Sequence, residues 1–434
     1  MKAVVLMLAL PIALAAQEPA GTGVHVIRLD EAVQLAQQNS PSAVQARGAL
    51  RTSKAQVRSA YASFIPSISL NASTTHSSSA GGRVNEAGQV VSSSLPWQFG
   101  NGLSLNVDLF DGGQRIFGVK SSKAQVNASA ASEVAQNFQV ALQVKQQFFA
   151  VLAAGEAEAA ARAQLAEAEQ QLATSTAMLH ARTATRSDSL RAVIQVGNAR
   201  LALLNALNDR RTADASLTRL VGTPFPVTAS PQDTVAETLV EIDSAALVAL
   251  VEDGPGVRQA NAAELAAHAS AKAARAPYLP TITMGWSLSG NGGNDGFALA
   301  ADNYKYSRQF RLGLSYPLFN QLNREAGIVR ADVAERNAEA TLRDSKLLAR
   351  QNLIQYLGAM RTAQEQMEIQ VASVAAAEED LRVQKQRYQL GASLQLDVLT
   401  SETALVQARA ALIQARYDYR VAKAQLEALI GRGL

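Results

Sequence analysis

The sequence contains no cysteine, which excludes disulfides and thiolate-bound zinc. Its four histidines, His25, His76, His180 and His268, lie too far apart to form a ligand-like spacing. Aromatic residues make up only 5% of the chain, too few to fill several conventional cores. Neither sign of charge dominates: 40 Lys and Arg face 37 Asp and Glu, so no basic footprint for nucleic acid is present. No run after the first residues reaches the ~18 consecutive apolar positions of a membrane helix. Nucleophile elbows, phosphate-binding loops and dinucleotide fingerprints are missing. Nothing implies a cofactor, and an enzyme has no support.

Ala, Gln, Leu, Ser and Val are abundant instead. A length of 434 residues would allow about two or three globular domains. Long stretches of Ala, Leu, Glu, Gln and Arg predict extended helices packed closely through small side chains. At the N-terminus, Met1-Lys2 precedes an apolar run from Ala3 to Leu14, and Ala13-Leu14-Ala15 fits a small-x-small cleavage pattern. Residues 1–15 therefore read as a secretory signal peptide, with a buried N-terminal helix as the competing reading. The run is too short to span a bilayer, and Pro11 interrupts it. The expected mature chain starts near Ala16, works outside the cytoplasm and, with no Cys after the cleavage site, carries no lipid anchor. A protein of this kind embedded in a membrane must use strands.

The chain is a duplication. Leu29-Asp30-Glu31-Ala32 resembles Ile242-Asp243-Ser244-Ala245, and Phe64-Ile65-Pro66-Ser67-Ile68 resembles Tyr278-Leu279-Pro280-Thr281-Ile282. Pro41 to Pro66 and Pro255 to Pro280 have the same separation. From Asp108-Leu109-Phe110-Asp111 against Pro317-Leu318-Phe319-Asn320 onward the two halves match without a gap. Arg115 pairs with Arg324, Asp188 with Asp397 and Gly222 with Gly431. Each half is expected to build a helix-strand-strand-helix unit, over 16–222 and 242–434, joined by a linker at 223–241.

Asp30 is the candidate N-cap of a first helix ending near Asn39, and Pro41 opens a second that runs to about Ala62. Residues 116–180 contain no proline and carry apolar residues at helical spacing, predicting a rod of ~100 Å. Segments 188–220, 323–389 and 398–430 are predicted to be helical as well. The helices alone would suit a plain coiled-coil scaffold. The strands argue otherwise. Residues 67–75, 101–110, 281–289 and 310–319 alternate apolar and polar side chains, each near the ~9–11 residues of a tilted membrane strand. Phe64, Phe110, Tyr278 and Phe319 cluster at one end, and Trp97, Phe99, Tyr304 and Tyr306 at the other, in the manner of interfacial girdles. A single alternating strand would equally suit a soluble, half-buried sheet. Four such strands with matched aromatic ends favour membrane insertion, which tolerates no open sheet edge. Since four strands cannot close a barrel, oligomerisation is required; two copies would supply eight staves and three copies twelve.

The sequence resembles the TolC family of outer-membrane efflux proteins over essentially the whole mature chain. The segment from Arg387-Tyr388-Gln389-Leu390-Gly391-Ala392 to Asp397-Val398-Leu399 is similar to that family's second periplasmic hairpin. Leu109-Phe110-Asp111-Gly112-Gly113 and a closing Leu-x-x-Leu-x-Gly, seen at Leu217–Gly222 and Leu426–Gly431, are also typical. The resemblance implies a mainly α protein with a membrane β-barrel segment. It implies a homotrimer with a 12-stranded barrel in outer-membrane lipid, and a long periplasmic α-helical barrel that meets an adaptor protein and an inner-membrane transporter. It places an entrance constriction at Asp188, Tyr388, Ser393, Asp397 and Thr400, with an Asp188–Tyr388 link. Adaptor docking falls on tips that include Arg182, Thr183, Leu390, Gly391 and Ala392. Three departures stand out. Ser393 replaces an expected arginine, Thr400 an expected acid, and Arg182 a frequent glycine, with Arg182 or Arg186 the candidate replacement base. The residues themselves also allow Asp188 and Asp397 to be simple helix caps. The expected function is an outer-membrane export duct for small molecules or proteins; the alternative is a periplasmic coiled-coil adaptor or structural protein of an export complex. A general porin would lack the long helices.

Overall fold

Proline placement, capping residues and helical periodicity set the helices. The computed structural model describes residues 24–77, 83–84, 87–88, 90–91, 97–183, 185–231, 244–294, 296–297 and 303–433; the expected signal peptide lies outside them, as do most of the linker and parts of both strand-connecting loops. Helix α1 spans Leu29–Asn39 and α2 Pro41–Ala62; α5 spans Ser244–Glu252 and α6 Pro255–Ala274. The duplication is kept to the residue in the longest elements. α3 (Gln114–His180) and α7 (Asn323–Gln389) each have 67 residues, and α4 (Arg186–Val221) and α8 (Gln395–Ile430) each have 36. At 1.5 Å per residue α3 and α7 are each about 100 Å long. Gly222 and Gly431 end α4 and α8 in left-handed conformations, φ 71° and 75°, where a missing Cβ removes the steric penalty. Asp30 is not an N-cap. α1 begins one residue before it, with Arg28 at the cap and no side-chain cap bond. Asp30 and Glu31 occupy the first turn, where their charge complements the helix dipole.

Strands β2 (Ser67–His76), β5 (Trp97–Phe110), β7 (Thr281–Asn294) and β8 (Lys305–Ser315) form one antiparallel sheet in the order β2-β5-β7-β8. Each repeat supplies one pair, and β5 and β7 join the pairs at the centre. The register aligns Ile68, Leu105, Trp286 and Phe310 in one row across all four strands. β8 starts and ends earlier than the expected 310–319. Pro317 explains its end, since proline cannot donate to a ladder and restricts the residue before it. Four short strands, in two pairs, fall below what alternation can reveal. β1 (His25–Ile27) pairs in parallel with β6 (Val227–Ala229), inside the expected linker, and β3 (Arg83–Val84) pairs with β4 (Val90–Val91).

The chain divides into two compact units that cut across the repeats. The first comprises residues up to Gln45, Gln136–Val251 and Arg350 onward; the second comprises Ala46–Ala135 and Glu252–Ala349. In the first, Ile27, Ala36, Val144, Phe148, Leu217 and Val227 form the main core. In the second, the sheet carries an apolar face that is exposed: Leu70 is 81% and Leu314 73% accessible. Its helices approach closely through small residues, as where the Ser53 and Ser129 hydroxyls meet at 2.8 Å. Among the described residues no helix is long and apolar enough to cross a membrane.

Candidate functional site

Both long hairpins turn in the same way. At the first, Thr183 N–H donates to the Met178 carbonyl at 2.9 Å and Arg182 N–H to Leu179 at 3.0 Å. At the second, Ala392 N–H donates to Arg387 at 2.8 Å and Gly391 N–H to Tyr388 at 3.0 Å. These bonds satisfy the last carbonyls of α3 and α7 and require one left-handed residue. That residue is Gly391, φ 70°, in the second tip and Arg182, φ 60°, in the first. No other atom crowds a Cβ at Gly391, so only its φ demands glycine. Gly391→Ala should destabilise its turn by about 1 kcal/mol, whereas Arg182→Gly should leave the first turn unchanged or firmer. Amide hydrogen exchange over 387–395 and 178–186 checks this; the opposite ranking would contradict it.

Asp188 and Asp397 lie in the first turns of α4 and α8, as the third helical residue of each. The Asp188 carboxylate accepts from Thr185 N–H at 3.0 Å and Thr185 Oγ–H at 2.7 Å, while Asp188 N–H donates back to Thr185 Oγ at 3.3 Å. This is a reciprocal capping box. Asp397 accepts from Leu394 N–H at 2.9 Å, but the leucine side chain has no oxygen to return the bond and Asp397 N–H turns to the Leu394 carbonyl at 3.1 Å, so α8 keeps half the box.

The expected Asp188–Tyr388 hydrogen bond is not made. Tyr388 packs its ring with Leu381, Val398 and Leu405, and its hydroxyl is buried without a partner. Burial, and then the Asp188 carboxylate, push this phenol above its ordinary pKa. The physical reason is competition: Asp188 is already satisfied by its own helix start. Ser393 Oγ donates to the Gln384 carbonyl at 3.4 Å and Thr400 Oγ to Leu396 at 2.9 Å, so neither replaces the charge expected there. Neither Arg182 nor Arg186 has an ion pair among the described residues. Leu390 at the tip is 83% exposed, and Ala392 and Thr183 are exposed too.

Sequence reasoning missed the charge pairs and the buried acids along the hairpins. Glu158 meets Arg162 at 2.5 Å and Arg210 at 2.7 Å; the Arg210 hydrogen bond foremost holds its carboxyl below the ordinary range. Lys385 pairs with Glu167 across α7 and α3. Glu402 on α8 is 7% exposed. Only packing selects these from many similar residues along helices of weak amphipathicity.

In the second unit, Phe64, Phe110, Tyr278 and Phe319 are brought to one end of the four-stranded sheet, 41–75% exposed. The Arg115 guanidinium lies 4.9 Å from the Phe64 ring centre and the Arg324 guanidinium 4.8 Å from that of Tyr278. Both rings and both arginines are repeat partners, so this ring-and-cation pair was present in the duplication as an unused signal. At the opposite end Tyr304 and Tyr306 stack at 5.9 Å, while Phe99 is 2% exposed and belongs to the interior rather than to a girdle.

A four-stranded antiparallel sheet and two long helical hairpins on one chain make up a fold shared with solved outer-membrane channels. One solved example, the MtrE outer membrane channel of Neisseria gonorrhoeae in its open state, aligns with a TM-score of 0.74 at 22% identity over 94% of this chain and 89% of that one. The sequence model of the outer membrane efflux protein family matches residues 32–223 and 247–432. The chain belongs to this family, and its place is the outer membrane. It is 26% identical over 223 residues to the toluene efflux pump outer membrane protein TtgC of Pseudomonas putida, covering 50% of this chain and 45% of that one. The chain thus spans about half the length of such relatives. Over 338 residues it is 26% identical to the outer membrane efflux protein BepC of Brucella suis, covering 76% and 72%.

Proposed function

We propose that three copies close their sheets into a 12-stranded barrel and conduct small molecules or proteins from the periplasm, or from an inner-membrane pump, to the exterior. The observation that carries this reading is the sheet itself: antiparallel, apolar on an exposed face, with β2 and β8 unpaired on their outer sides among the described residues. A bilayer leaves no such edge unsatisfied, and β8 of one copy runs antiparallel to β2 of the next. The chain performs no reaction, and energy comes from the inner-membrane partner. Similarity to a toluene efflux protein favours small organic cargo. The tips, with Arg182, Thr183, Leu390, Gly391 and Ala392, meet a periplasmic adaptor.

Asp188 and Asp397, repeated three times about an axis with Ser393 and Thr400, line the entrance and favour cations. Tyr388 closes it by packing its ring rather than by a hydroxyl bond. Planar-bilayer conductance tests the assignment. Asp188→Asn and Asp397→Asn should lower cation preference, Tyr388→Ala should raise conductance, and Tyr388→Phe should change little. Wild-type behaviour in the two Asn variants and in Tyr388→Ala would sink the entrance assignment. A wild-type protein that forms no channel would sink the conduit. The adaptor alternative predicts a soluble periplasmic chain on fractionation, against which the exposed apolar sheet face argues.

A further inference from the structure

The first unit has a half-open cleft of about 470 Å³ between α3, α4 and α8, within the ~300–1,000 Å³ range of small-ligand sites. Its walls are largely alanine methyls, Ala161, Ala206 and Ala410 among them, with Leu405 and Ile413. Three carboxylates, Glu167, Asp209 and Glu402, and one guanidinium, Arg409, interrupt this lining. Arg409 is held by Glu378 at 2.7 Å. Glu402 is the unusual member. It is 7% exposed, and although Gln195 hydrogen-bonds its carboxyl, Oε1 is buried with no partner.

An unpaired buried carboxyl oxygen is costly. A cationic group beside it would satisfy that oxygen, while the alanine walls would take up an apolar body. We infer that this cleft binds an amphiphilic organic cation of small-molecule size, with the Glu402 carboxylate as the countercharge beside its charged group. Among the described residues no cluster of His, Asp and Glu is arranged to hold a metal ion, and the apolar walls offer few of the oxygens that hard cations require. The site lies between three helices of one chain, so its occupancy can be measured whether or not cargo passes.

Charge linkage sets the pH dependence. Burial first, and then Glu167, push the Glu402 carboxyl above its ordinary range, opposed by Lys385 and Gln195; Asp209 and Arg409 also face the cleft. A bound cation favours the ionised form, so affinity should rise as pH climbs through this raised value.

Equilibrium dialysis of the full-length protein in non-ionic detergent tests the site, with tetraphenylphosphonium as probe, tetraphenylborate as the size-matched anion and protein-free micelles as background. The expected result is saturable binding of the cation and none of the anion, tightening as pH is raised above the ordinary carboxylate range. Glu402→Gln should weaken binding about tenfold, the scale of one charge-assisted contact, and flatten the pH profile. Ala206→Phe fills the cleft without changing charge and should weaken binding as much. Wild-type affinity in either folded variant would overturn the inference. So would equal uptake of the anion, or no saturable binding, as when a basic side chain of a neighbouring copy occupies the cleft. Should Glu402→Gln fail to fold, Ala206→Phe and the wild-type pH profile still decide.

Discussion

Replacing Phe148 with alanine is expected to destabilise the first unit by about 4 kcal/mol, the usual cost of emptying a buried phenylalanine site. Phe148 is fully buried in α3, where it joins Val144, Leu217, Val221 and Val227, and its ring meets Phe149 edge-on at 6.3 Å. The cost should sit near the upper part of its range for a specific reason. Several neighbours, Ala32, Ala36 and Ala43, are alanines, which cannot extend into the space left behind. The surrounding helices are also held at fixed distance by small-residue contacts, so collapse is limited. Phe148→Leu keeps most of the volume and should cost about 1 kcal/mol. Thermal unfolding of the purified protein in detergent, followed by far-ultraviolet circular dichroism, reads both. Equal melting of the alanine and leucine variants would show that the core can close around the gap.

The second large effect is expected at Gly112, in the turn from β5 into α3. Its φ is +68°, and a Cβ built there would lie 2.6 Å from the Ala276 carbonyl oxygen and 2.8 Å from Leu279 Cβ. Neither neighbour is the free end of a flexible side chain. The turn is further fixed by Asp111, whose carboxylate accepts from Gly113 N–H at 3.1 Å and from Arg115 N–H at 2.9 Å. Gly112→Ala combines a left-handed penalty of ~1–2 kcal/mol with overpacking of ~1–3 kcal/mol, so about 3 kcal/mol is expected. Gly113, φ +86°, meets only the Phe117 ring, at 3.4 Å, and Gly113→Ala should cost about half as much. The second repeat sharpens the contrast, since Gln321 and Leu322 stand at the matching positions with φ 60° and 59°. Left-handed backbone alone therefore carries a moderate cost that a non-glycine residue can bear, and the close approach of Ala276 adds the larger part at Gly112. Chemical unfolding monitored by fluorescence would rank the variants, and equal losses for Gly112→Ala and Gly113→Ala would refute the role of that approach.

The repeat also shows why some of the entrance was readable and some was not. Gly391 and Asp397 announce a helix stop and a helix start within a few residues, and both do that work. The same rules place Asp188, yet they do not say which acceptor or donor it will prefer. Thr185, three residues away, takes up the carboxylate that a link to Tyr388 would need. The aromatic ends of the strands were visible as types and positions, but the exclusion of Phe99 from the girdle depends on what covers it. Glu402 is one acid among many on long helices, and nothing within its own turn separates it from a solvated neighbour.

Helix lengths, strand alternation and the duplication were local properties, carried by periodicity, proline and capping residues that act over a turn or two. Their ends agree between α3 and α7, and between α4 and α8, because each repeat holds the same local signals. Pairing of β5 with β7, division into units that cross both repeats, the unpartnered Tyr388 hydroxyl and the Glu402 cleft were decided by tertiary contact alone. Such contacts join residues as distant as Lys145 and Glu427, 282 positions apart. Their free energy comes from burial and charge pairing between elements, which leaves no periodic trace in either segment.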